Sequence, residues 1–356
     1  MHTPGHTPEG LSFLITDGAT TSEPGFIITG DFVFVGDVGR PDLIDESAGG
    51  IDTRFEGTKQ LFASLRDPFL TLPDFVQVHP GHGAGSACGK SLGAIASSTV
   101  GYERCFAWWS KHLQNNDLEG FTIVLLEGQP EAPAYFGRMK CINKSGPNIL
   151  GNRGEVVKLE ANALKPILEA GTMLIDTRSR EAFQTGALSG SLHLPAGKNF
   201  STWAAWLIDP EHDGCKLVLL ARDATHATQL RDELSRVGID RVIGFIDSLE
   251  GLALRSQMPV SLEEIAKIVQ PFALDVCAKS EYEAGHIPGA TQLHAGHLYN
   301  NLERIPNDRP VVLHCQSGAG STAATSYLRS QGFSNILEMR GGYVAWAERK
   351  RETITV

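Results

Sequence analysis

Cys315 is the residue of this chain best placed to act as a nucleophile. It ends a short apolar run, Val311 to His314. Gln316, Ser317, Gly318, Ala319 and Gly320 follow, and a helix-patterned segment opens at Ser321. An apolar run bounded by small residues reads as a buried strand. Ser321 and Thr322 read as N-cap residues of the helix. A Gly/Ser-rich loop between strand and helix turns successive backbone N–H groups inward as an anion nest. The helix N-terminus adds roughly half a positive charge. Both favour the thiolate, the form of cysteine that attacks sulfur. Sulfur delivered to it becomes a cysteine persulfide held by the same donors. A cysteine that only fills a core has no use for such a cradle.

A second set of chemically able residues lies near the N-terminus. His2 opens the segment His2-Thr3-Pro4-Gly5-His6-Thr7, Asp31 follows Gly30, and His82 closes His79-Pro80-Gly81-His82. Each falls at the end of an expected strand or in a loop. Strands are read at Leu11 to Ile15 and Phe26 to Thr29, as a hairpin, and before His79; an amphipathic helix is read near Phe55 to Leu65. Imidazoles and a carboxylate converging from strand ends suit a transition-metal ion, and the same spacing also fits solvated loop side chains. Cys88, six residues after His82, lies on the loop expected to border that pocket. There it would hold or relay a persulfide, or pack as a free thiol. Phe106, Trp108, Trp109 and His112 read as core or interface.

The scaffold for these groups is bounded by composition. A chain of 356 residues predicts two or three domains, and 42% hydrophobic with 20% charged residues is ordinary for a globular protein. A net charge of −10, from 31 basic and 41 acidic residues, gives no general attraction to nucleic acid or anionic lipid. No apolar run is long enough to span a membrane. Six cysteines, at 88, 105, 141, 215, 277 and 315, are too sparse for a disulfide scaffold. A reducing cytoplasm is therefore expected; Cys105, Cys141, Cys215 and Cys277 receive no role. Asn143 to Gly154 is rich in Gly, Asn and Pro and reads as a linker.

Beyond the linker the chain repeats itself. Ile175-Asp176-Thr177-Arg178, Ala182-Phe183, Gly186 and Gly190 echo Leu274-Asp275-Val276-Cys277, Glu281-Tyr282, Gly285 and Gly289, at an offset of 99 residues. Leu217 to Ala221 echoes Val311 to Cys315 at an offset of 94. Strands alternate with helices in both copies, which predicts doubly wound parallel sheets with sites at the strands' C-terminal ends. Ala221 stands where Cys315 stands and has no nucleophile. Asp223 puts a carboxylate into that loop, which opposes anion binding.

Cys315 and its loop, Asp275, the run Glu281 to Ala290, and Gly341-Gly342-Tyr343-Val344-Ala345-Trp346 together resemble a rhodanese, a sulfurtransferase domain. Where rhodanese loops often carry arginine, five positions after the cysteine, this chain has Gly320. Where related phosphatases need arginine, six positions after it, this chain has Ser321, against a phosphatase. Arg340, or the loop amides alone, are the candidates for the substrate's charge partner. The order HTPGHT, GD and PGH, with Gly39-Arg40-Pro41-Asp42 and Gly83 to Lys90, resembles the metallo-β-lactamase fold in its persulfide dioxygenase branch.

That resemblance implies a C-terminal part of an αββα sandwich over 1–145, a rhodanese-like domain without activity over 155–256, and an active one over 260–356. It implies iron(II), or zinc as the alternative, on His2 and Asp31, with His82 lining the pocket. The family's upstream HxHxDH motif has no match here. So the chain on its own is expected not to retain iron, and part of its core is expected to face water. The implied chemistry is transfer of sulfane sulfur from a persulfide or thiosulfate through Cys315, coupled to oxidation of a persulfide to sulfite. The implied partners are small persulfides, thiosulfate or sulfite, with a homo-oligomer left open. The rival readings are a non-catalytic docking module and a metallohydrolase of glyoxalase II type.

Overall fold

The structure is a computed structural model that describes residues 1–43, 53–84, 86, 88–90, 92–129, 131–210 and 216–349. Cys215, and Gly85 and Ala87 of the loop after His82, lie outside the described residues. The chain divides into two compact units, Met1–Lys140 and Cys141–Val356.

In the first unit, β1 (Phe13–Ile15) and β2 (Phe26–Gly30) form the expected hairpin, Phe13 opposite Ile28 and Ile15 opposite Phe26. β3 (Gln77–Pro80) runs parallel to β2, and β4 (Ser98–Thr99) pairs antiparallel with β3. Side chains alternate across a strand. Ile27 and Val78 therefore reach a buried core with Leu61 and Phe62 of α1 (Thr53–Ser64), and with Trp109. α2 (Val100–Phe106), α3 (Ser110–Gln114) and α4 (Leu118–Leu126) surround that core, and α5 (Tyr135–Ser145) leads out of the unit. Phe13, Ile15, Phe26 and Ile28 point the other way and are 42–59% exposed. The expectation of apolar surface facing water is met on that side of the sheet. Trp109 is core, as read, whereas Phe106 is exposed.

The second unit holds two four-stranded parallel sheets with one topology. In its first half, α6 (Ala161–Glu169) precedes β5 (Met173–Asp176), α7 (Arg180–Thr185), β6 (Ala187–Leu188), β7 (Leu192–His193), α8 (Phe200–Leu207), β8 (Leu217–Leu220), α9 (Ala224–Ser235), β9 (Val242–Ile246) and β10 (Leu254–Arg255). The second half runs α10 (Leu262–Ile265), β11 (Phe272–Asp275), α11 (Lys279–Ala284), β12 (Thr291–Gln292), β13 (Val311–His314), α12 (Ala319–Ser330), β14 (Ile336–Glu338) and α13 (Gly342–Glu348). The sheet orders are β7-β5-β8-β9 and β12-β11-β13-β14; β6 and β10 make a separate antiparallel pair.

One apolar core runs through both halves. Ile175, Phe200 and Leu219 share it with Leu274, Leu313, Tyr327 and Leu328, all buried. Each such side chain contributes about 1.5–3 kcal/mol by leaving water. α12 explains the sharing. Every residue from Gly320 to Leu328 is buried, because the helix has the second sheet on one side and the first half on the other. Its Gly, Ser, Thr and Ala residues permit that close approach. The Ser326 hydroxyl accepts from the His193 N–H of β7 at 2.9 Å, and the Thr322 hydroxyl accepts from the Gln184 amide of α7 at 3.2 Å.

Candidate active site

β13 is buried along its whole length and delivers Cys315, itself 8% exposed, to the loop before α12. The backbone N–H of Gly318 donates to the Cys315 Sγ at 3.2 Å, and that of Ser321 at 3.3 Å. The nest expected from the small residues is thus formed, and it closes on the sulfur. Gly318 has φ +98°, a left-handed conformation that only glycine adopts without strain. That turn starts the helix early. α12 begins at Ala319 with Gly318 as its cap, not with Ser321 or Thr322. Gln316 is half-buried, while Ser317 and Ala319 are exposed at the mouth.

The hydroxyls freed from capping turn away from the sulfur. Ser321 Oγ and Thr322 Oγ1 donate to Glu338 Oε1 at 2.8 and 2.7 Å. So Ser321 gives the sulfur its amide, not its hydroxyl. Glu338 is 4% exposed; burial raises its carboxyl above the usual range, partly offset by the Thr322 and Ser321 hydroxyls. The sequence reading missed Glu338. Its one signal is a carboxylate ending the apolar strand Ile336-Leu337-Glu338.

The glycine pair holds the loop from the other side. The Tyr343 N–H donates to the Cys315 carbonyl at 2.9 Å, and that of Val344 to the Gln316 carbonyl at 3.0 Å. A Cβ at Gly342 would fall 2.3 Å from the Cys315 oxygen. Arg340, a candidate charge partner, is elsewhere: its guanidinium donates to the Pro259 carbonyl at 3.1 Å, and its backbone N–H pairs with Val260. The register that puts Gly341 and Gly342 under the loop turns the Arg340 side chain outward. The cation at the loop is Arg180 of α7. Its Nη1 lies 3.2 Å from where a Cβ at Gly318 would stand. Trp203 of α8 lies 2.8 Å from where a Cβ at Gly320 would stand, a point 3.7 Å from Cys315 Sγ.

Behind Cys315, Asp275 accepts from the Cys277 N–H at 2.9 Å, a framework role as expected. Burial and the neighbouring Asp275 push the Cys277 thiol up, so it stays neutral.

The matching loop of the first half is built differently. Asp223 caps α9, its carboxylate accepting from the His226 backbone N–H at 2.8 Å, and the Arg222 backbone N–H donates to the His226 imidazole Nδ1 at 3.3 Å. Two amides of this loop are therefore already taken by side chains. A cavity of about 640 Å³ opens here, lined by Arg178, Ala221, Arg222, His226 and Asp247 among others, with no thiol in its wall.

In the first unit, ligand atoms of Asp31, His82 and Cys88 lie within 4.8 Å of one another. His82 Nδ1 is 2.8 Å from Asp31 Oδ1. That hydrogen bond, with a second to Cys88, raises the imidazole to about 10. Burial works against ionisation of Asp31, but the His82 hydrogen bond and the neighbouring His6 and His82 rings outweigh it and hold the carboxyl low. His2 is not part of this cluster. Its Nε2 bonds the Pro8 carbonyl at 2.8 Å in the open. A bridge from His2 to Leu11 folds the segment back and brings His6 forward instead. His6 Nε2 is 3.6 Å from Asp31 Oδ2, and its Nδ1 bonds the Arg40 carbonyl at 2.8 Å. Burial keeps this imidazole neutral.

A family model described as "Rhodanese-like domain" matches residues 260–349. A sulfurtransferase of Allochromatium vinosum is 38% identical over 85 residues, 24% of this chain and 79% of its own. The chain belongs to the rhodanese-like family. A thiosulfate sulfurtransferase of Pseudoalteromonas translucida is 34% identical over 80 residues, 22% of this chain and 76% of that rhodanese relative. The solved metallo-β-lactamase from Staphylococcus aureus is 35% identical, with a TM-score of 0.55, over 69% of this chain. The chain spans 64% of that structure's length. The fold is therefore α/β, combining a metallo-β-lactamase-like part with a C-terminal rhodanese domain. Asp275, the Cys315 loop and the glycine pair all fall inside the rhodanese match.

Proposed function

We propose that this chain is a sulfurtransferase that moves sulfane sulfur through a persulfide on Cys315. The observation that carries the reading is the pair of backbone amides on Cys315 Sγ. They can donate to the attacking sulfur before transfer and to the persulfide after it. In the forward step the Cys315 thiolate attacks the outer sulfur of thiosulfate. A new S–S bond forms, the old one breaks, and sulfite leaves with its electron pair. A nucleophilic acceptor then takes the outer sulfur and restores the thiolate. No redox partner is required. With thiosulfate and cyanide, wild type is expected to form thiocyanate and Cys315→Ser none. Thiocyanate no higher than the protein-free background from wild type would overturn the reading in favour of the docking module.

The companion activity we propose is iron-dependent oxidation of a small persulfide in the metallo-β-lactamase-like part, whose sulfite product the Cys315 site would join to sulfane sulfur as thiosulfate. The residues present fit a divalent ion. His6 has its Nδ1 held by the Arg40 carbonyl, as the non-ligating nitrogen of a metal-bound histidine usually is, and its Nε2 stands 3.6 Å from Asp31 Oδ2, where both could reach one ion. His6 and Asp31 would hold the ion, with His82 and Cys88 beside it; iron would supply open positions for oxygen and substrate. Two ligands bind weakly, so iron in the purified chain is expected well below one per chain. Cobalt(II) titration is expected to show binding that His6→Ala weakens ~10-fold or more and His2→Ala leaves alone. The reverse order would return the ligand to His2.

A further inference from the structure

The loop that holds Cys315 offers amides but no cation of its own, since Gly320 and Ser321 occupy the positions where arginine is sought. Yet two side chains from the cysteine-less half reach that loop. Arg180 Nη1 stands 3.2 Å from the Cβ position of Gly318, the residue whose N–H bonds the sulfur. Among the described residues it is the sole neighbour of that position within 4 Å. Trp203 covers Gly320 at 2.8 Å, so glycine is required there to admit the indole.

Both are held in place by packing. α7, which opens with Arg180, is tied to α12 by the buried Gln184–Thr322 hydrogen bond. α8, which carries Trp203, packs against Ala295–Asn300 of the other half, where Trp206 meets His294 edge-on at 4.7 Å. The Arg180 Nε pairs with the exposed Glu181 carboxylate at 3.5 Å, and the Arg180 side chain is itself 40% exposed. It therefore lies at the exposed rim of the Gly318 turn, whose sequence neighbours Ser317 and Ala319 are exposed.

We propose that the cysteine-less half completes the Cys315 site: Arg180 is the positioning cation for the sulfonate end of an anionic sulfane donor, and Trp203 is the wall that screens the reacting sulfur from water. A guanidinium presents paired N–H donors to the oxygens of a sulfonate as it does to a carboxylate or phosphate. In the step written above, the sulfonate leaves as sulfite with the electron pair of the broken S–S bond. Arg180 thus holds both the donor and the departing group. The same contact orients sulfite when the step runs in reverse. This assigns a use to a domain that has no nucleophile.

The inference rests on the sulfurtransferase reading, and the test separates the two. Loading of Cys315 is followed by mass on the full chain with two donors: thiosulfate, which leaves one added sulfur and releases sulfite, and an uncharged dialkyl trisulfide, which leaves an alkylthio group as a mixed disulfide and releases an alkyl persulfide. For Arg180→Ala, KM for thiosulfate is expected to rise ~10–100-fold with a smaller change in kcat, while loading from the trisulfide stays within about 2-fold of wild type. Arg180→Lys is expected to recover part of the loss and Arg180→Glu to deepen it. Equal loss with both donors, or no loss with thiosulfate, would overturn the role of Arg180 while leaving Cys315 in place. Failure of wild type to load from either donor would sink the sulfurtransferase reading as well. Unchanged melting temperatures of the three variants show that the fold is intact.

Discussion

The two halves of the second unit place the same strand order around opposite chemistries. In one, the loop after β13 leaves the Gly318 and Ser321 amides free, and both bind Cys315 Sγ. In the other, the loop after β8 ends in Asp223, whose carboxylate takes the helix amide for itself, and Ala221 replaces the thiol. The difference extends to the preceding sheet end. Asp176 and Asp275 both accept the backbone N–H two residues on, but Asp176 is also locked by the Arg178 guanidinium, with a 2.6 Å contact. A parallel α/β sheet presents helix N-termini at its C-terminal edge in either case. What decides between a site and a scaffold is whether a side chain has already satisfied those donors.

The largest effects should come from exchanging the nucleophile. Cys315→Ser is expected to lower sulfur transfer by ~10³-fold or more, since a hydroxyl cannot form the persulfide. Ala221→Cys is expected to restore under ~1% of wild-type rate in a Cys315→Ser background, because Asp223 opposes an anion at that loop. The readout for both is thiocyanate formation. A strong gain by the second variant would break the contrast, showing that Asp223 is no obstacle.

Next in size is a pair of glycines with alike backbones. Gly342 has φ +63° and Gly251 has φ +77°, but a Cβ at Gly342 meets the Cys315 oxygen at 2.3 Å whereas one at Gly251 meets nothing within 4 Å. Both alanine variants carry the left-handed cost of about 1 kcal/mol. Only Gly342→Ala also displaces the loop. It is expected to lose about 2–4 kcal/mol of stability and ~10-fold or more of activity, against about 1 kcal/mol and no loss of activity for Gly251→Ala. Denaturant melts with parallel assays check this.

How far the sequence reached follows from the range of the interactions. Cys315, its glycine-rich loop, the alternation of strand and helix, and the mismatch at Ala221 and Asp223 are local patterns, and local patterns are legible. The charge partner was not, because Arg180 is distant in sequence and reaches the loop only when one half packs on the other. Glu338 looked like an ordinary strand residue until α12 brought Ser321 and Thr322 over it. His2 and His6 differ by one turn of backbone: both match the residue type, and only the fold-back at Leu11 decides which meets Asp31. Arg340 failed for the same reason, since adjacency to Gly341 says nothing of where its side chain points.

The smallest effect concerns the carboxylate behind the active loop, for which the first half has shown no counterpart. Glu338 is buried, and its folded-state carboxyl titrates above the ordinary value of 4.5 chiefly because burial disfavours the charge. The folded chain therefore binds this proton more tightly than the unfolded chain does. The resulting stabilisation is full below pH 4.5 and is lost as pH rises through the folded-state value. Glu338→Gln keeps an oxygen to accept from the Ser321 and Thr322 hydroxyls and carries no charge. Relative to wild type its melting temperature should improve from pH 4.5 toward neutrality, by no more than a few degrees. Glu338→Ala strands the two hydroxyls and should cost about 1–3 kcal/mol at every pH. If the glutamine variant instead lost stability as pH rose, the carboxylate would be acting as a charge that the loop needs. Glu338 would then have to be counted with Arg180 in the electrostatics of the site, toward which that guanidinium already contributes by favouring its ionised form.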